Sequence, residues 1–422
     1  MTKANQSRMK TKKRSKIEES VSSKKKKYDL LQVIPAKQVV SDILVCGENA
    51  FGQIGFDPDD ISEVVRPKLL STDHNVVDIA AGAMHNIFLT DKGEVYTFGL
   101  NDEGQLGRTT NDEEASTLYK PGKVDIPEKV VHITAGEMHS AALTENGKVF
   151  IWGTFRDNGG QIGLTSEGMQ SFPIQLLSNK KIVKIASGNN HFVCLSEEGK
   201  VLTCGVAEQG QLGRIASQFA ERGGRHGIDY ILIPTEVRSK NKISYDNIWA
   251  GQFNTFIRER DSGIIYGCGL NQFKQTCNSD LTECFVPVIT MRGMKWKEIC
   301  SGEHHTIALD EDSHLYSFGR GDFGRLGLGN TDDSTAPTLI PTLQNEKCVS
   351  ISAGDRSSFA VTDQGLLYSW GEGTTFQLGL GRDVTETSTP TNVVGKEVSR
   401  YRITSVSAGG SHTVMLGRSK EN

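Results

Sequence analysis

An apolar strand that ends in glycine recurs along this chain at nearly regular intervals, and this repeat is the strongest constraint on the fold. Its final glycines are Gly47, Gly99, Gly153, Gly205, Gly269, Gly319 and Gly371. Neighbouring copies lie 50 to 54 residues apart, with one interval of 64. Between copies, turn sequences such as TDKG (90–93) separate short runs with period-two alternation rather than helical periodicity. A fixed period with several strands per copy predicts an all-β fold, either a β-propeller or another repeat array.

A second phrase, Ala/Ser-Gly-x-x-His, alternates with the first and sets the expected number of blades. It occurs seven times, counting the degenerate copies AGQFN and AGDRS at 250–254 and 353–357. The chain opens with the strand phrase and closes with the histidine phrase, so its ends are complementary halves of one repeat. We therefore expect a seven-bladed β-propeller over residues 31–417, in which N- and C-terminal strands share the closing blade and pair otherwise free edges. Residues 418–422 would form a short C-terminal tail.

The charge of the chain is divided between a basic N-terminal segment and an acidic remainder. Residues 1–27 contain eleven Lys and Arg against two Glu, whereas the rest contains 36 basic and 49 acidic residues. The segment is also poor in aromatic and β-branched side chains, so we expect residues 1–30 to be a disordered tail. Two basic clusters in it fit a two-part nuclear import signal and can neutralise DNA phosphates. Their residues are Lys12, Lys13, Arg14, Lys24, Lys25, Lys26 and Lys27.

The cysteines and the hydropathy pattern argue against several classes of protein. None of the eight cysteines forms a C-x-x-C pair, and Cys46, Cys204 and Cys268 precede repeat glycines where other copies carry Phe or Trp. We interpret them as small core residues in a reducing compartment rather than as disulfide or zinc ligands. No apolar run approaches the ~18 residues of a membrane span. The hydrophilic N-terminus does not fit a secretory signal.

The repeated histidines are the most conspicuous candidates for a ligand site. They all lie three residues after a repeat glycine, at His85, His139, His191, His305 and His412. Because a ligand site rarely needs one residue type in five blades, we expect each histidine to pin the turn of its own blade by hydrogen bonds. Metal binding is the alternative. His304 lies one place before His305, and neighbouring strand residues point to opposite faces, so the two cannot easily share a metal.

The two positions before each repeated histidine differ from copy to copy, which is typical of a binding face. They hold Glu137, Asn190, Glu303 with His304, and Asp355 with Arg356. Equivalent positions of all blades meet around one mouth of a propeller channel. We therefore expect these side chains to cluster there.

One copy of the strand phrase continues into a longer glycine-rich stretch than its relatives. GENAFGQIG, GLNDEGQLG, GVAEQGQLG and GRGDFGRLG each take eight steps between their outer glycines, whereas Gly153 to Gly163 takes ten. The insertion carries the sequence RDNGG, and an Asn-Gly pair is a strong signal for a hairpin turn. It predicts a small β-tongue that projects from the ring. The alternative is a neutral lengthening of a surface loop, which proteins tolerate well.

Several of these sequences together resemble one family within the repeat class. NDEGQLGR, GTFRDNGGQIGL, EQGQLGR, ERGGRHG and GRLGLG, in this order, are similar to the regulators of chromosome condensation. The resemblance covers residues 38–416. It implies a seven-bladed propeller that exchanges nucleotide on the small GTPase Ran, works without a cofactor or metal, and resides in the nucleus on chromatin.

The resemblance also implies roles for particular residues. The expected GTPase contacts are Glu137, Asn190, Arg214, His304 and Arg320, with Arg156, Asp157, Asn158 and Gly159 in a tongue that enters the GTPase beside its phosphate-binding loop. Better-known members carry Asp where this chain has Glu137 and Asn190, so Asn190 lacks the expected charge. Without the resemblance, Arg214 and Arg320 are equally consistent with solvated loop cations.

A glycine-rich loop at 220–227 matches the loop that the family uses against the acidic patch of the nucleosome. This assigns nucleosome binding to Arg222 and Arg225, the alternative being a solvated basic loop. With the basic tail, the expected partners are a Ran-like GTPase, nucleosome and DNA, and a nuclear import receptor, with no membrane. The competing interpretation is a binding or scaffold propeller of the same superfamily without exchange activity.

Overall fold

The computed structural model describes residues 28–111, 114–238, 243–278 and 281–421. The predicted import and DNA-binding residues at 12–14 and 24–27 lie outside this part of the chain. Within it, seven four-stranded antiparallel sheets form the blades of a propeller, and an eighth sheet has two strands. The predicted seven-bladed β-propeller is therefore confirmed.

Each blade contributes one strand to each of four layers, and the strands of a layer are numbered around the ring from blade 1 to blade 7. The innermost strands are Val76–Ala81, Val130–Ala135, Ile182–Ser187, Tyr245–Ala250, Trp296–Ser301, Cys348–Ala353 and Tyr401–Ala408. The second strands are His85–Thr90, His139–Thr144, His191–Ser196, Asn254–Glu259, His305–Asp310, Ser357–Thr362 and His412–Ser419. The third strands are Val95–Gly99, Val149–Gly153, Val201–Gly205, Ile265–Leu270, Leu315–Gly319, Leu367–Glu372 and Asp42–Glu48. The outer strands are Gly122–Val124, Gln170–Leu176, Thr235–Glu236, Glu283–Thr290, Ser334–Leu339, Glu386–Asn392 and Glu63–Leu70.

Helical structure in the described residues is confined to short turns in the loops. The two α-helical turns are Ser116–Tyr119 and Asp229–Leu232. The 3₁₀ turns are Ser217–Phe219, Gly224–His226, Asp322–Gly324, Pro341–Leu343 and Val398–Arg400. None of the described helices is long and apolar enough to cross a membrane.

Blade 7 joins the two ends of the chain, as the order of the phrases predicts. Its two inner strands come from the C-terminus and its two outer strands from the N-terminus. Asp42–Glu48 pairs antiparallel with His412–Ser419, and Asp42 lies opposite Gly417. The last strand ends at Ser419, two residues past the predicted end of the propeller.

The core lies between neighbouring blades, because each sheet is apolar on both faces. In one such layer, Ile87 and Leu89 of blade 1 pack with Phe150 and Trp152 of blade 2. Hairpin turns inside the blades carry the predicted positive-φ glycines, with φ of +79° at Gly93. The eight cysteines are free, and Cys46, Cys204 and Cys268 are buried, so their interpretation as core residues is confirmed.

The two faces of the ring differ in what they carry. We call histidine face the end formed by the turns that hold the histidine phrases and by the loops between third and outer strands. The hairpins between second and third strands form the opposite face. Residues 28–41 lie along the opposite face, where the Leu31 N–H donates to the Glu197 carbonyl at 2.8 Å and Lys37 pairs with Asp78 at 2.7 Å. The part of the predicted tail that is described, 28–30, also lies against the ring, because the Tyr28 hydroxyl donates to Asp261 and Arg260 donates to the Asp29 carbonyl, each at 2.6 Å.

The repeated histidines connect neighbouring blades. Each imidazole is fully buried, and its Nε2 is hydrogen-bonded to a side chain of the next blade at 2.7 to 3.0 Å. The pairs are His85 with Ser140, His139 with Ser187, His191 with Thr255, His305 with Ser358, and His412 with Asn86. The expectation that each histidine pins the turn of its own blade is therefore wrong about the partner, although the structural role stands.

The geometry explains why the bond leaves its own blade. The imidazole lies over the glycine of its own turn, so that a Cβ on Gly82 would come within 2.2 Å of the His85 ring. The glycine leaves no side chain to accept a hydrogen bond, and the ring nitrogen reaches the adjacent sheet instead. In the degenerate copy of blade 4, Asn254 Oδ1 accepts a hydrogen bond from the Ser301 hydroxyl of blade 5 at 2.8 Å.

These buried imidazoles make the stability of the ring sensitive to acid. Burial lowers the pKa of His85 and His191 to about 4, and that of His139 and His412 to about 3. The unfolded chain takes up protons below about pH 6.5, where the folded imidazoles stay neutral. Stability is therefore lost as the pH falls from 6.5 toward 4, by up to about 1.4 kcal/mol per histidine and pH unit.

Denaturant unfolding between pH 7 and pH 4.5 measures this dependence. We expect His139→Gln to flatten the slope of unfolding free energy against pH by about one proton, because Gln does not titrate. An unchanged slope in this variant would show that the imidazole does not control the acid sensitivity.

Candidate functional site

The ten-step glycine stretch forms a hairpin that belongs to no blade. Phe155–Asp157 pairs antiparallel with Gly160–Gly163, and Asp157 lies opposite Gly160 across the turn. Phe155 is fully buried at the base, while Asn158 and Gly159 are exposed at the tip. We call residues 153–163 the tongue. Its prediction as a small β-hairpin is confirmed.

Blades on both sides of the tongue hold its base. Arg156 Nη1 forms a salt bridge with Glu103 Oε1 of the blade 1 loop at 3.0 Å. The backbone N–H of Arg156 donates to Asn190 Oδ1 of blade 3 at 2.8 Å. Nearer the tip, the Asn158 N–H donates to Glu208 Oε2 at 3.4 Å. These contacts fix the tongue in position on the histidine face.

Asn190 uses both ends of its amide. While its oxygen accepts from Arg156, its Nδ2 donates to Glu137 Oε2 at 2.6 Å. A carboxylate at this position would accept from Arg156 equally well, but it could not donate to Glu137 unless protonated. The departure from the Asp expected by resemblance therefore matches the partners that this chain provides.

The basic loop at 220–227 lies beside the tongue. Arg222 Nη2 pairs with Asp157 Oδ1 at 2.9 Å. Arg225 is exposed, and its guanidinium lies 5.2 Å from the centre of the Phe219 ring. The two arginines assigned to one role thus differ, since one contacts the tongue and the other faces solvent.

A second group of charged side chains surrounds His304 on blades 5 and 6. The His304 ring packs 5.0 Å from the Phe273 ring, and its Nε2 lies 3.4 Å from Glu303 Oε1. The Arg320 guanidinium lies 4.7 Å from the centre of the same Phe273 ring. Burial lowers the pKa of His304, Glu303 opposes that effect, and Arg320 adds to it. We therefore expect a neutral imidazole at pH 7.

Acidic and basic side chains alternate around this group. Asp322 pairs with both Arg320 and the fully buried Arg325, at 2.8 and 2.7 Å. Arg356 lies between Glu303 and Glu372, at 4.0 and 3.4 Å. The arrangement leaves the rim of blades 5 and 6 with paired charges that are partly open to solvent.

The two groups face each other across the mouth of the central channel. The innermost strands enclose a channel of about 640 Å³, and Glu137, Gln252 and Asp355 line it. Gln252 donates to Asp355 at 2.6 Å. Burial raises the pKa of Asp355, and Glu303 and Glu137 raise it further. The copy-specific side chains therefore lie around one mouth, as their shared repeat position predicts.

Arg214 lies apart from both groups. Its guanidinium donates to the carbonyls of Thr203, Tyr230, Ile231 and Ile233 at 2.9 to 3.2 Å. The equivalent Arg108 of blade 1 makes similar bonds to the Thr97 and Lys120 carbonyls. The structure thus uses Arg214 to hold the long loop of blade 3.

Several residues of the site were not identified from the sequence. They are Glu103, Glu208 and Asp322, which contact the predicted site residues Arg156, Asn158 and Arg320 respectively. All three lie in the glycine-rich loops that follow the third strands. The positions of these loops that differ from copy to copy indicate binding residues, in the same way as the variable positions of the histidine phrase.

The one described group with metal-ligand geometry lies elsewhere. Oxygen and nitrogen atoms of Asp310, Asp312 and His314 lie within 4.8 Å of one another on the opposite face. His314 Nδ1 is already hydrogen-bonded to Asp310 at 3.1 Å.

Comparisons with known proteins identify relatives over nearly the whole chain. The RCC1-like domain family matches residues 42–415. The human regulator of chromosome condensation is 40% identical over 391 residues, which cover 90% of this chain and 91% of that protein. The Saccharomyces cerevisiae guanine nucleotide exchange factor SRM1 is 30% identical, over 89% of this chain and 87% of that protein.

Two solved structures of one yeast protein show the same architecture. The crystal structure of Prp20p from Saccharomyces cerevisiae, described with its binding to Gsp1p and histones, superposes with a TM-score of 0.80 at 29% identity and covers 92% of this chain and 93% of that one. Yeast RCC1 (Prp20) bound to Kap60 superposes with a TM-score of 0.81 at 29% identity, over 99% and 97% of the two chains.

The two hydrogen bonds of Asn190 give a stability prediction. Asn190→Asp removes the donor to Glu137 and places two carboxylates in contact, so we expect the free energy of unfolding at pH 7 to fall by about 1–3 kcal/mol. The loss should shrink toward pH 4, because a protonated Asp can donate again. Chemical denaturation at both pH values measures the difference.

A matched control is the double variant Asn190→Asp with Glu137→Gln, in which the new amide donates to the new carboxylate. It should recover most of the lost stability. Equal losses in the single and double variants would contradict the assigned direction of the hydrogen bond.

Proposed function

The chain belongs to the family of the regulators of chromosome condensation, and we propose that it promotes guanine nucleotide exchange on a small GTPase of the Ran type. The observation that carries the proposal is the tongue, a hairpin present in one copy of the repeat and fixed at the base on the histidine face. Two of the comparisons support it by what the matched yeast proteins are said to do. The curated match is named a guanine nucleotide exchange factor, and the matching crystal structure is described with binding to Gsp1p.

Exchange requires the protein to bind the empty GTPase more tightly than the loaded one. A GTPase holds its nucleotide through backbone N–H groups around the phosphates, one lysine and Mg²⁺. A partner that favours the nucleotide-free phosphate loop weakens nucleotide binding by the same factor. Each 1.4 kcal/mol of this coupling changes the affinity about tenfold.

We assign this coupling to the tip of the tongue. Asn158 and Gly159 are exposed at its tip, and Arg156 and Asp157 are held by the ring. A hairpin that is already ordered loses little conformational freedom when it contacts the phosphate loop. Displacement of that loop removes the N–H groups from the phosphates, so the mechanism needs no nucleophile, general base, metal or cofactor of this chain.

The rim of blades 5 and 6 provides a second contact in this proposal. Arg320, Glu303 and Arg356 surround the His304 imidazole with alternating charge. Glu137 and Asn190 stand on the tongue side of the mouth. Complementary charge at such a rim orients a partner and raises its rate of association. Arg214, whose donors are used inside blade 3, would act by holding its loop.

We also propose that the protein is located in the nucleus and binds chromatin. The yeast relatives are described with histones and with Kap60. In this chain, the basic clusters at 12–14 and 24–27 would bind an import receptor and DNA phosphates, and Arg222 and Arg225 an acidic patch of the nucleosome. The competing function is a scaffold propeller without exchange activity, which a nucleotide exchange assay separates from the proposed one.

Shortening the tongue tests the exchange mechanism. Deletion of Asn158 and Gly159 restores the eight-step spacing, keeps the buried Phe155 and Ile162, and leaves an Asp-Gly pair to form the turn. We expect nucleotide release from Ran, followed with a fluorescent GDP, to fall at least about tenfold, because the piece that competes with the phosphate loop is shorter. The melting temperature should change little.

The affinity for nucleotide-free Ran, measured beside the release rate, separates three outcomes. A large loss of release with a small loss of affinity supports the tongue as the displacing element. Loss of both to the same extent makes it an anchor instead. Release at the parent rate contradicts the mechanism, and no release by the parent protein itself supports the scaffold function.

Removal of the basic tail gives an independent prediction. Deletion of residues 1–27 removes eleven basic residues and two acidic ones. We expect weaker DNA binding with a smaller salt dependence, because fewer counterions are released. Exchange on free Ran should not change. Fluorescence anisotropy with a DNA duplex at about 50 and 200 mM salt measures the slope, and an unchanged slope would show that the tail does not contact DNA.

A further inference from the structure

We propose that Arg222 is a positioning residue for the tongue, which holds the tip in the conformation used for exchange. This inference rests on the proposed function and assigns a task inside the molecule to a side chain of the basic loop. It is carried by the salt bridge between Arg222 and Asp157 and by the space that Gly159 leaves for the guanidinium.

Asp157 is the buried partner of this pair. Its side chain is 2% exposed, whereas that of Arg222 is 43% exposed. The Asp157 Oδ1 accepts hydrogen bonds from the Gly159 N–H at 2.8 Å and from Arg222 Nη2 at 2.9 Å. The same carboxylate oxygen therefore shapes the turn at the tip and receives the only ion pair that Asp157 makes among the described residues.

Removal of Arg222 would leave uncompensated negative charge at the tongue. Glu208 accepts the Asn158 N–H beside Asp157, and burial together with Asp157 and Glu221 raises the Glu208 pKa while Arg222 opposes the rise. A buried carboxylate without its cation is strongly unfavourable. The tip would relieve this by moving Asp157 toward water, which disrupts the turn.

The loop that carries Arg222 is itself compact. Phe219 packs against His226 at 4.4 Å between ring centres, and Arg225 covers the same phenyl ring. Gly223 has φ of +78°, and a Cβ there would lie 1.9 Å from the Gly227 carbonyl oxygen. This closed turn directs Arg222 to the tongue and leaves Arg225 exposed over the Phe219 ring.

The tongue provides matching space. A Cβ on Gly159 would lie 2.6 Å from Arg222 Nη2. The guanidinium thus lies directly against the turn, and the glycine of the Asn-Gly pair allows this approach. An ordered tip contacts its target with less loss of conformational entropy than a mobile one. Arg222 should therefore affect the maximal rate of nucleotide release more than the Michaelis constant.

The test compares Arg222→Ala and Arg222→Lys with Arg382→Ala. Arg382 also follows a third strand on the histidine face and pairs with Glu63, far along the chain from the tongue. Hydrogen exchange of the amides at 156–162 and steady-state release of GDP from Ran are measured on each full-length variant. We expect Arg222→Ala to speed amide exchange at the tip and to lower kcat about three- to tenfold with little change in KM.

Lysine keeps the positive charge but lacks the planar set of N–H donors of the guanidinium. Arg222→Lys should therefore have a kcat between those of Arg222→Ala and the parent protein. Arg382→Ala should match the parent protein in both measurements. Unchanged amide exchange in Arg222→Ala overturns the proposal, and so does faster amide exchange with unchanged kcat. If the parent protein does not accelerate the release of GDP from Ran, the proposed function fails. The amide exchange measurement then still shows whether Arg222 orders the tongue.

Discussion

The hydrogen bond from each buried histidine to the next blade is the contact on which this architecture depends. Sheets in a propeller meet face to face through apolar side chains, and such packing alone does not fix how far one sheet slides along its neighbour. An imidazole that lies over a glycine and bonds a hydroxyl or amide of the adjacent sheet fixes that offset at five junctions. The residues just before each histidine are thereby held at defined places around the mouth, where side chains of different blades can act on one partner.

The site combines this fixed mouth with one departure from the repeat. Two additional residues in the loop after the third strand of blade 2 give a hairpin instead of a short turn, and residues of blades 1 and 3 support this hairpin. The side-chain amide of Asn190 alone links the tongue to Glu137 at the mouth of the channel, because it accepts a hydrogen bond from Arg156 and donates one to Glu137. A binding face built in this way needs no additional domain, because the repeats differ mainly in their loops while the blades keep the same four strands.

The sequence predicts contacts within a repeat well and contacts between repeats poorly. The strands, the hairpin glycines, the closing blade and the tongue follow from period and turn chemistry, which are local. Four of the five histidines bond the residue that follows the equivalent phrase position of the next blade. His139 instead bonds Ser187, 48 residues away, and Asp157 bonds Arg222, 65 residues away, at separations that the repeat does not predict. For the same reason Arg222 has the pattern of a solvated loop cation in the sequence, whereas the fold pairs it with Asp157 of the tongue.

The closure of blade 7 determines how the ring responds to force. The polypeptide chain connects each blade covalently to the next one. The ring is closed by hydrogen bonds instead of by the chain at one place, between the strands Asp42–Glu48 and His412–Ser419 inside blade 7. Because Asp42 is opposite Gly417, both ends of the chain leave from the same end of this ladder. Tension that separates the two termini therefore loads the hydrogen bonds one pair at a time, as in unzipping, rather than all together in shear. This ladder therefore resists separation of its two ends less than it would resist shear along its strands.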